Sequence, residues 1–196
     1  MIIAQKLQHE NRAEYLLYMF QVEDILRAYG CNEQRIADEY LARFQVDAET
    51  MATMRQWYAD LCEMMRSEQK MERGHLQICN NVVIGLEDLN AALLGSEKFP
   101  YYKQMYYKVL PYVVELRAKH GEASSTPSDS ATMAPDGVEK SELMYLFEFL
   151  YGIMILRLKQ APISQGTEDT VKNITAFLGQ LSEYWKADKE GKLELE

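Results

Sequence analysis

Three charged side chains interrupt the apolar face of a helix near the N-terminus. In "AEYLLYMFQVEDILRAYG", Ala13 to Gly30, Glu23 and Asp24 precede Arg27 by four and three residues, the spacing at which helical side chains meet. On a surface, the three would form an ion cluster of little stabilising value. In a cleft, Arg27 would bind a carboxylate or phosphate and the two acids would orient it. The pattern favours the structural cluster.

A second carboxylate, Glu148, interrupts the apolar run "FEFLYGIMILRLK" and has Tyr145, Tyr151 and Gly152 as its helical neighbours. Burial without a partner raises the pKa of a carboxyl group, which suits a general acid or base. The alternative is that a thin polar stripe carries Glu148 to the surface, or that it pairs with an Arg of another helix. We expect this alternative.

Glu72 and His75 form an E-x-x-H sequence, whose two side chains share one face of a helix. Di-metal helical bundles need two such motifs and two further Glu residues. Because the chain has only one, no metal site and no cofactor are predicted. Instead, we expect Glu72 to begin the fourth helix, where its charge suits the helix dipole, and His75 to meet Glu68 or a tyrosine across the turn.

The chain is rich in methionine and tyrosine, with 11 and 13 residues. Stripes of these residues at helical spacing are mostly core, with phenol groups at its edge. The candidate residues for a ligand pocket are Tyr102, Tyr106 and Tyr107, close to Pro111. A proline inside a helix lacks the N–H group and crowds the preceding turn, so we expect a kink or a break there.

The elements that position these residues are all helical. Apolar residues recur at spacings of three and four, and no segment shows sustained alternation. The sequence therefore predicts an all-α, single-domain helical bundle of about six to seven helices. The predicted helices cover Ala13 to Gly30, Asn32 to about Phe44, Asp47 to a turn near Lys70 and Met71, from that turn to Gly95, Pro100 to Gly121, about Glu139 to Lys159, and from Thr167 onward.

The sixth helix is the most apolar. Among the sixteen residues from Leu143 to Leu158, only Glu148, Gly152 and Arg157 are not apolar, so we expect this helix to be central and covered on nearly every side. A membrane span needs roughly twenty apolar residues, so no membrane association is predicted. Asp136, three residues before Glu139, offers a start resembling a capping box.

Residues 1–196 are predicted to form a single domain with two irregular segments. Residues 122–138, rich in Pro, Ser and other small residues, are predicted to be a mobile internal loop. Residues 188–196 are predicted to be a frayed, solvated tail.

Composition narrows the function classes. The three cysteines form no C-x-x-C pair, and the N-terminus has no export signal, so a reducing cytoplasm is expected. The formal net charge of −9 opposes binding to phosphate backbones, and nucleic acid is not expected as a partner. The chain also lacks a P-loop, G-x-G-x-x-G, G-x-S-x-G, H-E-x-x-H and EF-hand spacing.

Four segments together carry a resemblance to a known family. "AEYLLYMFQVEDILRAYG", "ERGHLQICNNVVIGLEDLNAALL", "YYKVLPYVVELRAK" and "FEFLYGIMILRLK" resemble an uncharacterised bacterial family of all-helical proteins, a domain of unknown function. The likeness covers nearly the whole chain in the same order. It implies an all-helical fold and a bacterial cytoplasmic setting, and it brings no catalytic residues.

These observations favour a non-enzymatic helical bundle that binds a partner protein or a small ligand. A homodimer formed through an exposed part of a Met and Tyr stripe is one form of this prediction. The alternative is an enzyme with a carboxylate-lined pocket, in which Glu148 acts as acid or base and Arg27 anchors an anion.

Overall fold

The computed structural model describes residues 2–123 and 140–195, and these confirm the all-α prediction. No strand occurs in either range. The α-helices are α1 (Ile2–Glu10), α2 (Arg12–Ala28), α3 (Glu33–Arg35), α4 (Ala48–Ser67), α5 (Gln77–Gly95), α6 (Pro100–Ala123), α7 (Glu142–Leu158) and α8 (Gln165–Lys189).

Helix α1 was not predicted, and it raises the helix count above the expected six to seven. It is separated from α2 by Asn11, whose side-chain Oδ1 accepts a hydrogen bond from Ala13 N at 3.1 Å. Asparagine is among the best residues at a helix start because its side chain satisfies an otherwise unpaired N–H group. One residue therefore ends α1 and caps α2.

Local signals set the other helix ends near the N-terminus as predicted. Gly30 ends α2 in the left-handed conformation, with φ +62. The N–H group of Gly30 donates to Arg27 O, and the N–H group of Cys31 donates to Leu26 O. These two hydrogen bonds form the Schellman pattern. Asn32 and Asp47 cap the next elements through hydrogen bonds from Arg35 N and Thr50 N. The helix boundaries predicted at Gly30, Asn32 and Asp47 are therefore confirmed.

The segment from Asn32 to Phe44 is helical but not a regular α-helix. After α3, Ile36–Tyr40 form a π-helix and Leu41–Arg43 a 3-10 helix. Both forms occur in short pieces, because their hydrogen-bond geometry is poorer than that of the α-helix. The buried side chains Ile36 and Leu41 come from these two pieces, so the irregular segment contributes to the core.

Several predicted boundaries are wrong by a few residues. Helix α6 continues through Pro111 and through Gly121, which was expected to end it. The break at Pro111 is therefore excluded, whereas the kink stays a prediction. Helix α8 is capped by Ser164, not Thr167, and α7 by Ser141. Glu122 and Ala123 belong to α6; the rest of the predicted loop, with Asp136, lies outside the described residues.

The chain divides into two compact units. The first comprises Met1–Glu10 and Glu14–Val82, and the second comprises Asn11–Ala13 and Val83–Glu196. In the first unit, the buried core includes Phe20, Tyr58 and Met65. In the second, α6, α7 and α8 contact one another pairwise, and Ser182 Oγ accepts a hydrogen bond from Ala13 N at 3.0 Å.

Helix α7 is buried over most of its first three turns and exposed at its end. Its buried residues run from Leu143 to Ile153, whereas Leu156 and Leu158 are 41% and 67% exposed. The prediction that α7 is covered on nearly every side is therefore wrong for its last turn. The central position of α7 stays a prediction. Among the described residues, no helix has the length and apolar character needed to cross a membrane.

Two glycine substitutions test the account of the α2 end. We expect Gly30→Ala to lower the free energy of unfolding by about 1 kcal/mol, because alanine is strained at positive φ. No atom lies within 4 Å of a Cβ built there, so a clash contributes nothing. The matched control, Gly179→Ala inside α8, should raise that free energy by up to about 1 kcal/mol. Denaturant unfolding measures both, and equal effects of the same sign would contradict the account.

Candidate functional site

The carboxylate of Glu23 is fully buried and has several hydrogen-bond donors around it. Its Oε2 lies 2.7 Å from His75 Nδ1, and its Oε1 accepts a hydrogen bond from Leu76 N at 2.8 Å. The thiol of Cys79 donates to the same Oε1 at 3.4 Å. We call Glu23, Arg27, His75, Leu76 and Cys79 the Glu23 cluster; it lies within the first unit.

The Glu23 cluster forms where the connection between α4 and α5 passes α2. Leu76 O accepts from Asn80 N, so Leu76 is the cap residue of α5. The N–H group of Leu76 donates to Glu23, and the N–H group of Gln77 donates to Glu68 Oε2 at 2.7 Å. Two carboxylates thus satisfy N–H groups at the start of α5, where the helix dipole favours negative charge.

Arg27 holds the same connection from its other side. Its Nε donates to Lys70 O at 3.2 Å and its Nη2 donates to Gly74 O. Its Nη1 lies 3.0 Å from Asp24 Oδ1, and its Nη2 lies 3.9 Å from Glu23 Oε2. The predicted ion cluster therefore exists, and the guanidinium uses its donors on the protein itself. This arrangement gives little support to Arg27 as an anion anchor.

His75 joins the Glu23 cluster through its ring. The ring stacks on Phe20, with centroids 3.8 Å apart and an interplanar angle of 22°. Because a carboxylate only accepts hydrogen bonds, Nδ1 carries the proton toward Glu23. Glu72 and His75 both lie in the non-helical connection before α5. The expectations that Glu72 begins this helix and that E-x-x-H shares a helical face are therefore wrong.

The Cys79 thiol is poorly suited to nucleophilic chemistry. Burial, followed by the negative charge of Glu23, raises its pKa well above the ordinary value, whereas a nucleophile needs the thiolate. The Glu23 carboxylate accepts hydrogen bonds from both Cys79 and His75. In this arrangement the Cys79 thiol bonds to Glu23 and not to the His75 ring. Within residues 2–123 and 140–195, no group of three or more His, Cys, Asp or Glu is arranged to hold a metal ion.

Glu148 lies on α7 in the second unit. Its carboxylate pairs with Lys140, and both side chains are 25% exposed. A general acid at Glu148 would need a buried carboxylate without a partner, whereas this carboxylate is partly exposed and pairs with Lys140. The structural alternative expected an Arg of another helix as the partner of Glu148. Lys140 is one cation that pairs with Glu148, and a contact with an Arg stays a prediction. Among the candidate polar residues, Arg27 and His75 come together around Glu23, whereas Glu148 belongs to the second unit.

The candidate pocket tyrosines have three different environments. Tyr102 is buried, donates to Asn90 Oδ1 at 2.6 Å and packs on Phe177. Tyr106 donates to Glu142 Oε2 at 2.9 Å. Burial raises the pKa of Tyr102. Burial and the hydrogen bond to Glu142 together raise the pKa of Tyr106 to about 12. Both are structural donors, whereas Tyr107 is 66% exposed.

Tyr107 belongs to an exposed apolar stripe that the sequence analysis missed. Tyr107, Pro111, Val114 and Ala118 are all exposed on α6, and Val114 is 62% exposed. Their spacing of i, i+4, i+7 and i+11 places them on one helical face. We call these four residues the α6 stripe. The spacing was visible in the sequence, but it does not tell an exposed face from a buried one.

Basic side chains border the α6 stripe on both sides. With 3.6 residues per turn, Lys103 and Arg117 fall on one side and Lys108 and Lys119 on the other. Arg117 lies 3.8 Å from Glu142, and Lys119 pairs with Glu115. In the part of the chain that the structure describes, Lys103 and Lys108 have no ion-pair partner. A chain of net charge −9 thus presents one apolar face with basic borders.

Comparison with known proteins identifies the family. The chain belongs to the family described as "Domain of unknown function (DUF4924)", whose model matches residues 1–192. This confirms the resemblance to a domain of unknown function that the four sequence segments carry. No curated protein and no solved structure matches the chain.

Replacing Glu23 tests whether the Glu23 cluster stabilises the fold. We expect Glu23→Gln to lower the free energy of unfolding by about 3 kcal/mol, because the amide brings a donor against donors and removes a buried charge. The matched control is Asp24→Asn, whose side chain is 49% exposed and should change that free energy by less than about 1 kcal/mol. Urea unfolding measures both. Equal stability of the two variants would show that the buried carboxylate is not a structural requirement.

Proposed function

We propose that this member of the family binds a partner protein through the α6 stripe, and that the partner contributes an amphipathic helix with acidic borders. The observation that carries the proposal is the combination of exposure and charge on α6. Tyr107 and Val114 are more than 60% exposed, and between residues 101 and 119 four basic residues accompany one acid, Glu115.

The spacing of the α6 stripe suits a helical partner. Helix recognition uses apolar anchors at i, i+3 or i+4, and i+7, and the stripe has this pattern over three turns. Tyrosine is enriched in the energetic centres of interfaces, since its ring buries a large area with few rotatable bonds. The neighbouring Tyr106 ring packs edge-on against Tyr107, with centroids 5.6 Å apart, which orders the anchor before binding.

Charge argues against a second copy of the chain as the occupant. A two-fold interface brings the same patch of both subunits together. Two α6 stripes in contact would bring basic borders against basic borders, and like charges disfavour such pairing. A partner of opposite sign gains from the same borders. The proposal therefore replaces the expected homodimer with a contact between different chains.

The enzyme alternative has weaker support. It rested on Glu148 as acid or base and on Arg27 as an anion anchor, and both are engaged in ion pairs. The proposal also keeps a bacterial cytoplasmic setting, for which the three cysteines without a disulfide are support. It includes no nucleic-acid partner, because the net charge of −9 opposes that association.

Two synthetic helical peptides test the proposal. Both carry the same leucine pattern at i, i+3, i+4 and i+7; one has Glu borders and the other Lys borders. Fluorescence anisotropy with the full chain should show binding of the acidic peptide, weakened by added salt because the borders are exposed. We expect Val114→Glu to weaken this binding by at least about tenfold, or about 1.4 kcal/mol. Ile84→Glu, on α5 at a position that is 51% exposed, is the matched control and should leave it unchanged.

Two results would contradict the proposal. Equal binding of the acidic and basic peptides would remove the role of the charged borders. A concentration-dependent dimer in sedimentation that Val114→Glu dissociates would identify the occupant as a second copy.

A further inference from the structure

An open apolar groove lies within the first unit and has a cavity volume of about 420 Å³. Its walls come from α1, from the residues after the 3-10 helix and from the first turns of α4. The apolar lining is formed by Ile3, Phe44, Val46 and Met54. This volume falls within the range of sites that bind small molecules.

The apolar lining of the groove is accessible. Ile3, Phe44 and Val46 are 50%, 39% and 41% exposed, and Met54 is buried beneath them. Scattered exposed apolar residues are ordinary, but a concave cluster of them around a buried methionine is typical of a ligand site. Tyr40 holds the Phe44 ring in an edge-on contact, with centroids 5.3 Å apart.

Every polar side chain that lines the groove can offer only an acceptor. The lining contains Glu49, Thr50 and Thr53. The Thr50 hydroxyl already donates to Asp47 Oδ2 at 2.7 Å, and the Thr53 hydroxyl donates to Glu49 O at 3.0 Å. Their oxygens, like the Glu49 carboxylate, are left to accept. A ligand that satisfies them must carry donors.

We propose that this groove binds an organic ammonium ion, in which an apolar body carries a protonated amine. The body would occupy the apolar lining, and the N–H groups would donate to Glu49 and to the threonine oxygens. The start of a helix disfavours a cation, but Asp47 and Glu49 place two carboxylates there, which outweigh the partial positive charge. An organic anion would meet the Glu49 carboxylate and hydrogen-bonding groups that can only accept. This site is separate from the α6 stripe and does not depend on the proposed function.

Three compounds with one body and different polar groups test the proposal: phenylbutylammonium, phenylbutanol and phenylbutyrate. Each is titrated into the full chain and followed by calorimetry and by methyl NMR signals of Ile3, Val46 and Met54. We expect phenylbutylammonium to bind at least about tenfold more tightly than phenylbutyrate, with phenylbutanol between them. The methyl signals in the groove should shift on binding.

Matched variants locate the effect. Glu49→Gln should weaken binding of phenylbutylammonium by about tenfold, whereas Glu63→Gln, an exposed acid of the same helix outside the groove lining, should leave it unchanged. Equal affinities for the three compounds would overturn the assignment, as would weaker binding with both variants or methyl shifts away from the groove. Groove shifts that appear with protein concentration alone would assign the groove to a second copy and also overturn it.

Discussion

Removing a carboxylate from water costs several kcal/mol of free energy, which the protein must offset with well-placed donors. Glu23 has none of its side chain exposed, and His75, Leu76 N and Cys79 supply those donors while Arg27 lies 3.9 Å away. The carboxylate therefore fixes the connection after α4, and with it the start of α5, to α2. Helix α5 can begin at Gln77 because charged side chains from other segments satisfy its first N–H groups.

The sequence predicts well what neighbouring residues determine. Gly30, Asn32 and Asp47 mark helix ends through their own conformations and side chains, and the spacing from Glu23 to Arg27 predicts their meeting on one helix. It does not predict what distant segments bring together. His75 lies 52 residues from Glu23, and nothing in the local sequence indicates that the two side chains meet. The E-x-x-H spacing was therefore interpreted as part of a helix. In the structure, this connection is non-helical and its residues bond to Glu23 and Arg27 of α2.

The same limit explains why the surface of α6 was missed. This helix has one buried face, with Tyr102, Val109 and Val113, and a second apolar face that is exposed. Periodicity finds apolar faces but cannot say which of two is covered. The groove in the first unit likewise depends on α1 and on the residues after an irregular helix, where local patterns are weakest. The polar residues considered as candidates for chemistry make hydrogen bonds and ion pairs within the protein. The exposed apolar residues of α6 and of the groove form the surfaces for which we propose binding.

In the folded protein, the Glu23 carboxylate accepts hydrogen bonds from His75 and Leu76. Proton and nitrogen NMR of the native chain tests this most directly, by observing the His75 Nδ1 proton and the exchange of the Leu76 amide with solvent. We expect an observable, downfield Nδ1 proton and a Leu76 amide that exchanges slowly. In Glu23→Gln, the Leu76 amide should exchange faster. A His75 Nδ1 without a proton, or a Leu76 amide that exchanges at the same rate in both proteins, would contradict it.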